Sequence, residues 1–273
     1  MPEGDSIHRI ASRLAPLVGK QLERVTTQGL VRDVAGKTVT SVTAHGKHLV
    51  IELDDGAQLR MHLGMNGRVR TYDRARGDAI LARMSPGRAS LAIVVADAVH
   101  IWIQARTVEI SQRRSPLRGV AVAQLGPDVL ADDFDSRQAA SRAAAHASRT
   151  IADVLLDQRV AAGIGNIYKC EALFLRAIDP RTRVQALTIE QLAALYATAH
   201  ELMSANVDPG PRVTRDLSGD PRGGERYYVY SRTGKPCVRC GSAIACAQLG
   251  EPMRWTWWCP RCQSAGTDAG VGG

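Results

Sequence analysis

Four cysteines near the end of the chain, spaced as Cys237-x2-Cys240 and Cys259-x2-Cys262, constrain its folding more than any other feature. Two paired-cysteine knuckles in one short segment can close a tetrahedral thiolate cage around a single zinc ion. Eighteen residues separate the knuckles, enough for one β-hairpin to bring them together. Buried or disulfide-bonded cysteines are the plainer alternative, and the doubled spacing argues against them. Arg232, Lys235, Arg239, Arg254 and Arg261 outnumber Glu251 here, and Trp255, Trp257 and Trp258 crowd the second knuckle. A metal-stapled hairpin with a basic surface is a rigid arm for a polyanion, nucleic acid above all.

The rest of the chain agrees with such a partner. Lys plus Arg number 35 against 27 Asp plus Glu, a formal charge of +8 with a pI near 9.5. That field speeds encounters with phosphate backbones but says nothing about fold. At 273 residues the chain can bury a substantial core, with two domains and the small ribbon expected. No apolar run approaches a membrane span, and Met1-Pro2-Glu3-Gly4-Asp5 lacks the cationic-then-apolar pattern of a secretion signal. A reducing cytoplasm is the expectation, where paired cysteines favour zinc over disulfides.

Ile7, Ile10, Leu14 and Leu17 predict a helix over residues 7–18, ended by Gly19. From about 21 to 110 short apolar or alternating runs broken by Gly and Asp predict strands, at 49–53, 58–63 and 100–104 among others. Ser111 to Gly119, with Arg113, Arg114, Ser115, Pro116 and Arg118, reads as a basic linker. An Ala-rich helical pattern follows from about 127, with apolar faces at Ile151, Val154, Leu155 and Gln158 and at 167–176. Thr188 and Gln191 fit a capping box opening a helix to about Val207, and Pro209-Gly210-Pro211 ends it. Residues 212–227 read as a polar, mobile loop. The expected fold is α+β and multidomain: an N-terminal β-sandwich with flanking helices (1–119), a helical domain (127–211), a zinc ribbon (228–263) and a disordered tail (264–273).

Few of the reactive residues stand out alone. Removal of Met1 would expose Pro2 as a secondary amine, and an α-amino group titrates near neutrality, at about 7.7–8.0. Such an amine can attack a sugar aldehyde to give an iminium ion, with the adjacent Glu3 moving protons. Gly163-Ile164-Gly165-Asn166 joins two short helices, with Asn166 expected as N-cap. Either a phosphate site at the second helix N-terminus or a plain helical turn fits that stretch. Met65 fits an apolar wedge or a core residue, His62 a hydrogen-bonded core histidine, Cys170 a core position and Cys246 a spare thiol.

Taken in order, Pro2-Glu3-Gly4, Gly46-Lys47-His48-Leu49, His62-Leu63-Gly64-Met65, Gly163 to Tyr168 and the cysteine ribbon carry a resemblance. Together they resemble the formamidopyrimidine-DNA glycosylase / endonuclease VIII family of bacterial base-excision repair enzymes, over residues 2 to about 263. The resemblance implies Pro2 as the Schiff-base nucleophile at C1′ of the damaged nucleotide and Glu3 as its acid–base partner. Lys47 would contact phosphate and support catalysis. Asn166, in the helix–two-turn–helix element, and Arg254, in the ribbon, would grip phosphates flanking the lesion. Met65 and Arg106 would fill the gap left by the flipped nucleotide. Base excision followed by β- and δ-elimination is the implied reaction, one structural zinc the implied cofactor, and damaged double-stranded DNA in a cleft between the first two domains the implied partner. A monomer at the bacterial nucleoid is expected.

Departures from the family pattern bear on the lesion. Ser6 stands where the family often has Glu, so one polar support near the nucleophile differs, and Val108 stands where many purine-lesion enzymes carry an aromatic, which bears on discrimination of the opposite base. Gly4, and a segment from Arg215 to Tyr230 shorter than the loop that covers 8-oxoguanine, resemble the endonuclease VIII branch and favour oxidised pyrimidines. A formamidopyrimidine or 8-oxoguanine enzyme with the same machinery is one alternative. A non-catalytic damaged-DNA-binding paralogue is another, and the Pro2-Glu3 pair argues against it.

Overall fold

In the computed structural model, which describes residues 2–28, 30–31, 34–112, 124–216 and 224–264, the first apolar stripe forms α1 (Gly4–Leu14). The helix starts three residues before the expected 7–18 span and ends at Leu14, giving way to a 3-10 turn at Ala15–Leu17. Pro16 explains the early stop, because it has no N–H to continue the ladder. The chain divides into two units, Met1–Gln124 and Leu125–Gly273.

The first unit holds two antiparallel sheets. One has the order β2-β1-β7-β8-β6, from Leu30–Val31, Arg24–Thr27, Ala89–Val94, Ala98–Ile103 and Arg68–Asp73. The other has the order β3-β4-β5-β9, from Val39–His45, His48–Leu53, Ala57–His62 and Thr107–Gln112. The period-two alternation turns Leu49, Ile51 and Leu53 of β4 inward. They join Leu59 and Met61 of β5, Leu91, Ile93 and Trp102 of the other sheet, and Ile7, Ile10 and Leu14 of α1 in one core. The N-terminus is thereby glued to the sandwich.

The β-textured stretch also contains a helix that its sequence conceals, α2 (Arg74–Arg83), capped by the Asp73 side chain. Ile80 and Leu81 of α2, followed by Met84, cover Val94, Val99 and Ile101 on the outer face of the five-stranded sheet. A Cβ at Gly77 would lie 2.3 Å from the Val99 Cβ, so only glycine allows this approach.

The second unit packs α3 (Ser136–Ala144), α4 (Ile151–Leu156), α5 (Asn166–Leu175) and α6 (Ile189–Ser204). Ala139, Ala140 and Ala143 of α3 let it lie close against Leu192, Leu195, Tyr196 and Ala199 of α6. The capping box of Thr188 and Gln191 is present, and α6 runs to Ser204. The cysteine ribbon belongs to this unit. Its hairpin, β10 (Ala245–Leu249) and β11 (Arg254–Trp258), shares a small core in which Cys237, Ile244 and Cys259 meet Cys170 and Phe174 of α5.

The basic linker from Arg113 to Arg118, residues 217–223 of the polar loop and the tail from 265 onward lie outside the described residues. The stems of that loop are held together: Thr214 N–H donates to the Arg226 carbonyl at 2.9 Å and Arg215 to the Glu225 carbonyl at 2.7 Å.

A single carboxylate organises these stems. Glu171 on α5 has no exposed surface, and it accepts backbone N–H bonds from Tyr228, Val229 and Tyr230 at 2.7, 2.9 and 2.9 Å. The Thr214 hydroxyl donates to it as well. Removing the acceptor strands several buried donors at about 1–3 kcal/mol each. Glu171→Ala should therefore cost roughly 3 kcal/mol or more in chemical denaturation, whereas Glu225→Ala, at an exposed ion pair with Lys235, should change stability by under about 1 kcal/mol.

Candidate functional site

At the start of α1, Glu3 is wholly buried and its neighbour Pro2 is half-buried. The Glu3 carbonyl accepts from Ser6 and Ile7 N–H at 3.0 and 3.3 Å, so the first turn of α1 fixes where Pro2 sits.

A second group of side chains gathers at one end of the four-stranded sheet. His45 and His48 face each other across the β3–β4 ladder, which leaves Gly46 and Lys47 as a two-residue turn. Gly46 supplies the positive φ, +55°, that its first position demands. Lys47 therefore stands at the tip of a rigid hairpin rather than on a loose surface loop. Next along the sheet, His48 pairs with His62 of β5, their rings 5.0 Å apart. His62 Nδ1 accepts from Gly64 N–H at 3.0 Å, and its carbonyl accepts from Arg106 N–H at 2.9 Å.

These bonds join the Met65 turn to the Arg106 loop. A Cβ at Gly64, where φ is +66°, would sit 2.9 Å from the Arg106 Cβ. Met65 beside it is 64% exposed, which removes the core alternative and leaves an apolar side chain outward at an end of the sheet that also carries Lys47 and Arg106. Nearby on β5, Arg60 is buried and makes a two-point ion pair with Glu109 of β9 at 3.1 and 2.7 Å.

The electrostatics of this end are strongly positive. Burial, followed by the charges of Lys47, Arg106 and Arg60, pushes the His62 imidazole down to about 4. Burial, followed by His62, Arg60, His45 and Lys47, pushes His48 down to about 3. His62 is thus a half-buried, hydrogen-bonded neutral ring, and two neutral imidazoles sit among cations that suit a phosphodiester.

In the second unit the turn before α5 is templated by Gln158, a residue that the sequence pattern alone places on an apolar face. Its Nε2 donates to the Leu156 and Ile164 carbonyls at 2.9 and 3.1 Å, and its Oε1 accepts from Gly163 N–H at 3.0 Å. The expected N-cap role of Asn166 is not what the structure has. Gly165 occupies the N-cap position and Asn166 is the first helical residue, because the Asn166 amide is committed to the ribbon, donating to the Trp255 carbonyl at 2.8 Å. The bond brings Asn166 next to Arg254, which is exposed at the start of β11.

Of the other basic residues of the ribbon, Lys235, Arg239 and Arg261 are exposed and Arg232 is not. Arg232 is buried and donates to the Tyr228 and Pro236 carbonyls, Lys235 pairs with Glu225, and Arg239 donates to the Phe174 carbonyl while stacking on the Phe174 ring at 4.5 Å.

The four ribbon thiols fit one metal ion. Their sulfur atoms lie within 4.8 Å of one another, with Cys240–Cys259 at 3.5 Å and Cys237–Cys262 at 3.9 Å. A tetrahedron of metal–sulfur bonds of about 2.3 Å has edges of about 3.8 Å. Arg239 and Cys262 N–H groups donate to the Cys237 and Cys259 sulfurs at 3.4 Å, as thiolate ligands require. Cys246 stands apart from the four, and Cys170 is buried under the ribbon.

Known proteins share this arrangement. Residues 1–89 match the Formamidopyrimidine-DNA glycosylase N-terminal domain, and residues 125–217 match the Formamidopyrimidine-DNA glycosylase H2TH domain. The "Probable endonuclease 8 2" of Streptomyces coelicolor is 36% identical over 272 residues, covering 97% of this chain and 94% of its own. The "DNA-(apurinic or apyrimidinic site) lyase Nei2" of Mycolicibacterium smegmatis is 36% identical over 269 residues, covering 97% of this chain and 100% of its own. A crystal structure of a Lactococcus lactis FPG mutant with a Fapy-dG containing DNA has a TM-score of 0.78 at 26% identity, over 97% of this chain and 100% of that one. The chain belongs to the formamidopyrimidine-DNA glycosylase / endonuclease VIII family.

The depressed histidines carry a consequence for stability. An unfolded histidine titrates near 6.5, so below that value the unfolded chain binds protons that the folded His62 refuses. Stability is full above pH 6.5 and should fall as the pH drops to about 4. Melting temperatures recorded across this interval should show the decline, and His62→Asn, which keeps an acceptor for Gly64 N–H, should reduce it while leaving the share that His48 contributes.

Proposed function

We propose that this protein removes oxidised bases from duplex DNA in base-excision repair and then cleaves the strand as an abasic-site lyase. The observation that carries the reading is the wholly buried Glu3 carboxyl set directly beside Pro2 at the start of α1, in a chain whose relatives include a protein named as such a lyase. After removal of Met1, the Pro2 amine attacks C1′ of the damaged nucleotide. The base leaves as the iminium forms, with Glu3 shuttling the proton that opens the sugar ring. Loss of the 3′ and then the 5′ phosphate completes β- and δ-elimination.

Lys47, Asn166 and Arg254 bind the phosphates around the lesion, and Met65 with Arg106 fills the space of the flipped nucleotide. The exposure of Met65 and its attachment to the Arg106 loop support that role. The ribbon ion is zinc, because four thiolates in a closed tetrahedral set favour it and leave no position for a reacting water. Its part is structural, and thiolates of this kind need a reducing compartment, consistent with the bacterial cytoplasm at the nucleoid. Every residue assigned to the reaction comes from one chain, so a monomer suffices. Oxidised pyrimidines are the favoured substrate, supported by Gly4, by the short segment from Arg215 to Tyr230 and by the endonuclease 8 name of a relative that aligns over nearly its whole length.

Borohydride trapping on a duplex with one abasic site should yield a covalent adduct mapping to Pro2. Pro2→Gly and Glu3→Gln should abolish excision with binding largely kept; an equal loss of binding would refute these roles. Thymine-glycol duplexes should be processed faster than 8-oxoguanine duplexes, and the reverse order would move the protein to the purine-lesion branch. Cys259→Ser should release zinc and lesion binding together, as read by metal analysis and DNA titration.

A further inference from the structure

Two side chains one helical turn apart on α5 reach neighbouring residues of β11. Asn166 donates to the Trp255 carbonyl, and Lys169 Nζ donates to Thr256 Oγ1 at 2.7 Å. The Thr256 hydroxyl in turn donates to the Arg254 carbonyl at 3.1 Å. Lys169 is 1% exposed and Thr256 is fully buried, although lysine is among the residues least often found inside a protein. On a surface its flexible stem would hold nothing in place. In a packed interior the stem is confined, and its bond to Thr256 leads on to the main chain of Arg254.

The position needs such a tether. Arg254 forms the last register pair of the β10–β11 hairpin, opposite Leu249, and a two-stranded hairpin is marginally stable on its own. That pair borders the turn at residues 250–253, the end of the hairpin away from Cys259. Residues three apart on a helix share a face, so Asn166 and Lys169 grip consecutive residues of the same strand.

We propose that Lys169 is a positioning residue which, through Thr256, holds Arg254 in fixed register with Asn166, so that the two meet one DNA backbone as a single clamp. The proposal rests on the assignment of Asn166 and Arg254 to phosphate binding. It does not involve the chemistry at Pro2.

Lys169→Met keeps the length of the side chain without the donor, and Thr256→Val keeps the shape without the hydroxyl. Each should raise the dissociation constant for an abasic-site duplex about tenfold, the loss expected for a hydrogen bond to a charged group. Each should also lower the salt dependence of binding by about one phosphate contact. The single-turnover rate at saturating enzyme should stay near that of the wild type, a split that general loss of structure would not produce. The double variant should bind no more weakly than either single one, and Lys169→Met should add nothing to Arg254→Ala.

Wild-type affinity in both single variants overturns the proposal, as does a loss that persists in full when Arg254 is already alanine. Should Lys169→Met melt early or lose zinc, Thr256→Val carries the test under the same criteria. Failure of the unmodified protein to bind the abasic duplex would instead overturn the functional reading, which keeps the two outcomes distinct.

Discussion

A carboxylate without exposed surface, Glu171, is the interaction on which the second unit depends. It collects three consecutive backbone N–H groups from Tyr228 to Tyr230 and the hydroxyl of Thr214. The chain enters the ribbon through those residues, so the ribbon starts from a point fixed on α5. Further contacts along the same helix take over from there: Phe174 packs under the thiols and stacks with Arg239, while Asn166 and Lys169 hold β11. The helix that begins at the Gly163–Gly165 turn therefore also sets where the metal hairpin stands. Burying Glu171 is costly by itself, and the four donors offset that cost only together.

Electrostatics in this protein divide by location. The net charge of +8 suggests a uniformly basic surface, yet several cations are consumed internally. Arg60 answers Glu109, Arg232 satisfies main-chain carbonyls, and Arg239 closes the C-terminal end of α5. The three cations of the proposed site stand on rigid supports: Lys47 on a two-residue turn, Arg106 on a loop tied to β5, Arg254 on a tethered strand. Cations on stiff backbone lose less freedom on binding than cations on loops.

Much of this architecture is legible in the amino-acid sequence alone. The cysteine spacing predicts a shared metal site, the capping box predicts α6, and alternation locates β4, β5 and β8. Other features have no local signal. The sequence of α2 is rich in Arg and interrupted by Gly77, so neither its apolar face nor its need for glycine shows as periodicity. Asn166 sits one position away from its expected N-cap place because a local capping rule cannot anticipate a partner 89 residues away. Nothing in the local sequence marks Lys169 and Glu171 as interior residues among the apolar positions of 167–176, and only the ribbon folding over them makes them so.

The contact between Gly64 and Arg106 has a consequence for how this protein can change over time. Any side chain added at position 64 would collide with the Arg106 Cβ and would also have to adopt a backbone angle that L-residues resist. Position 64 cannot change alone, whereas another side chain at 106 keeps the same Cβ. An altered residue at 64 survives only if the neighbouring loop has already moved, so variation at this end of the sheet falls on the side chains at 65 and 106 while the glycine that lets the two segments approach is kept.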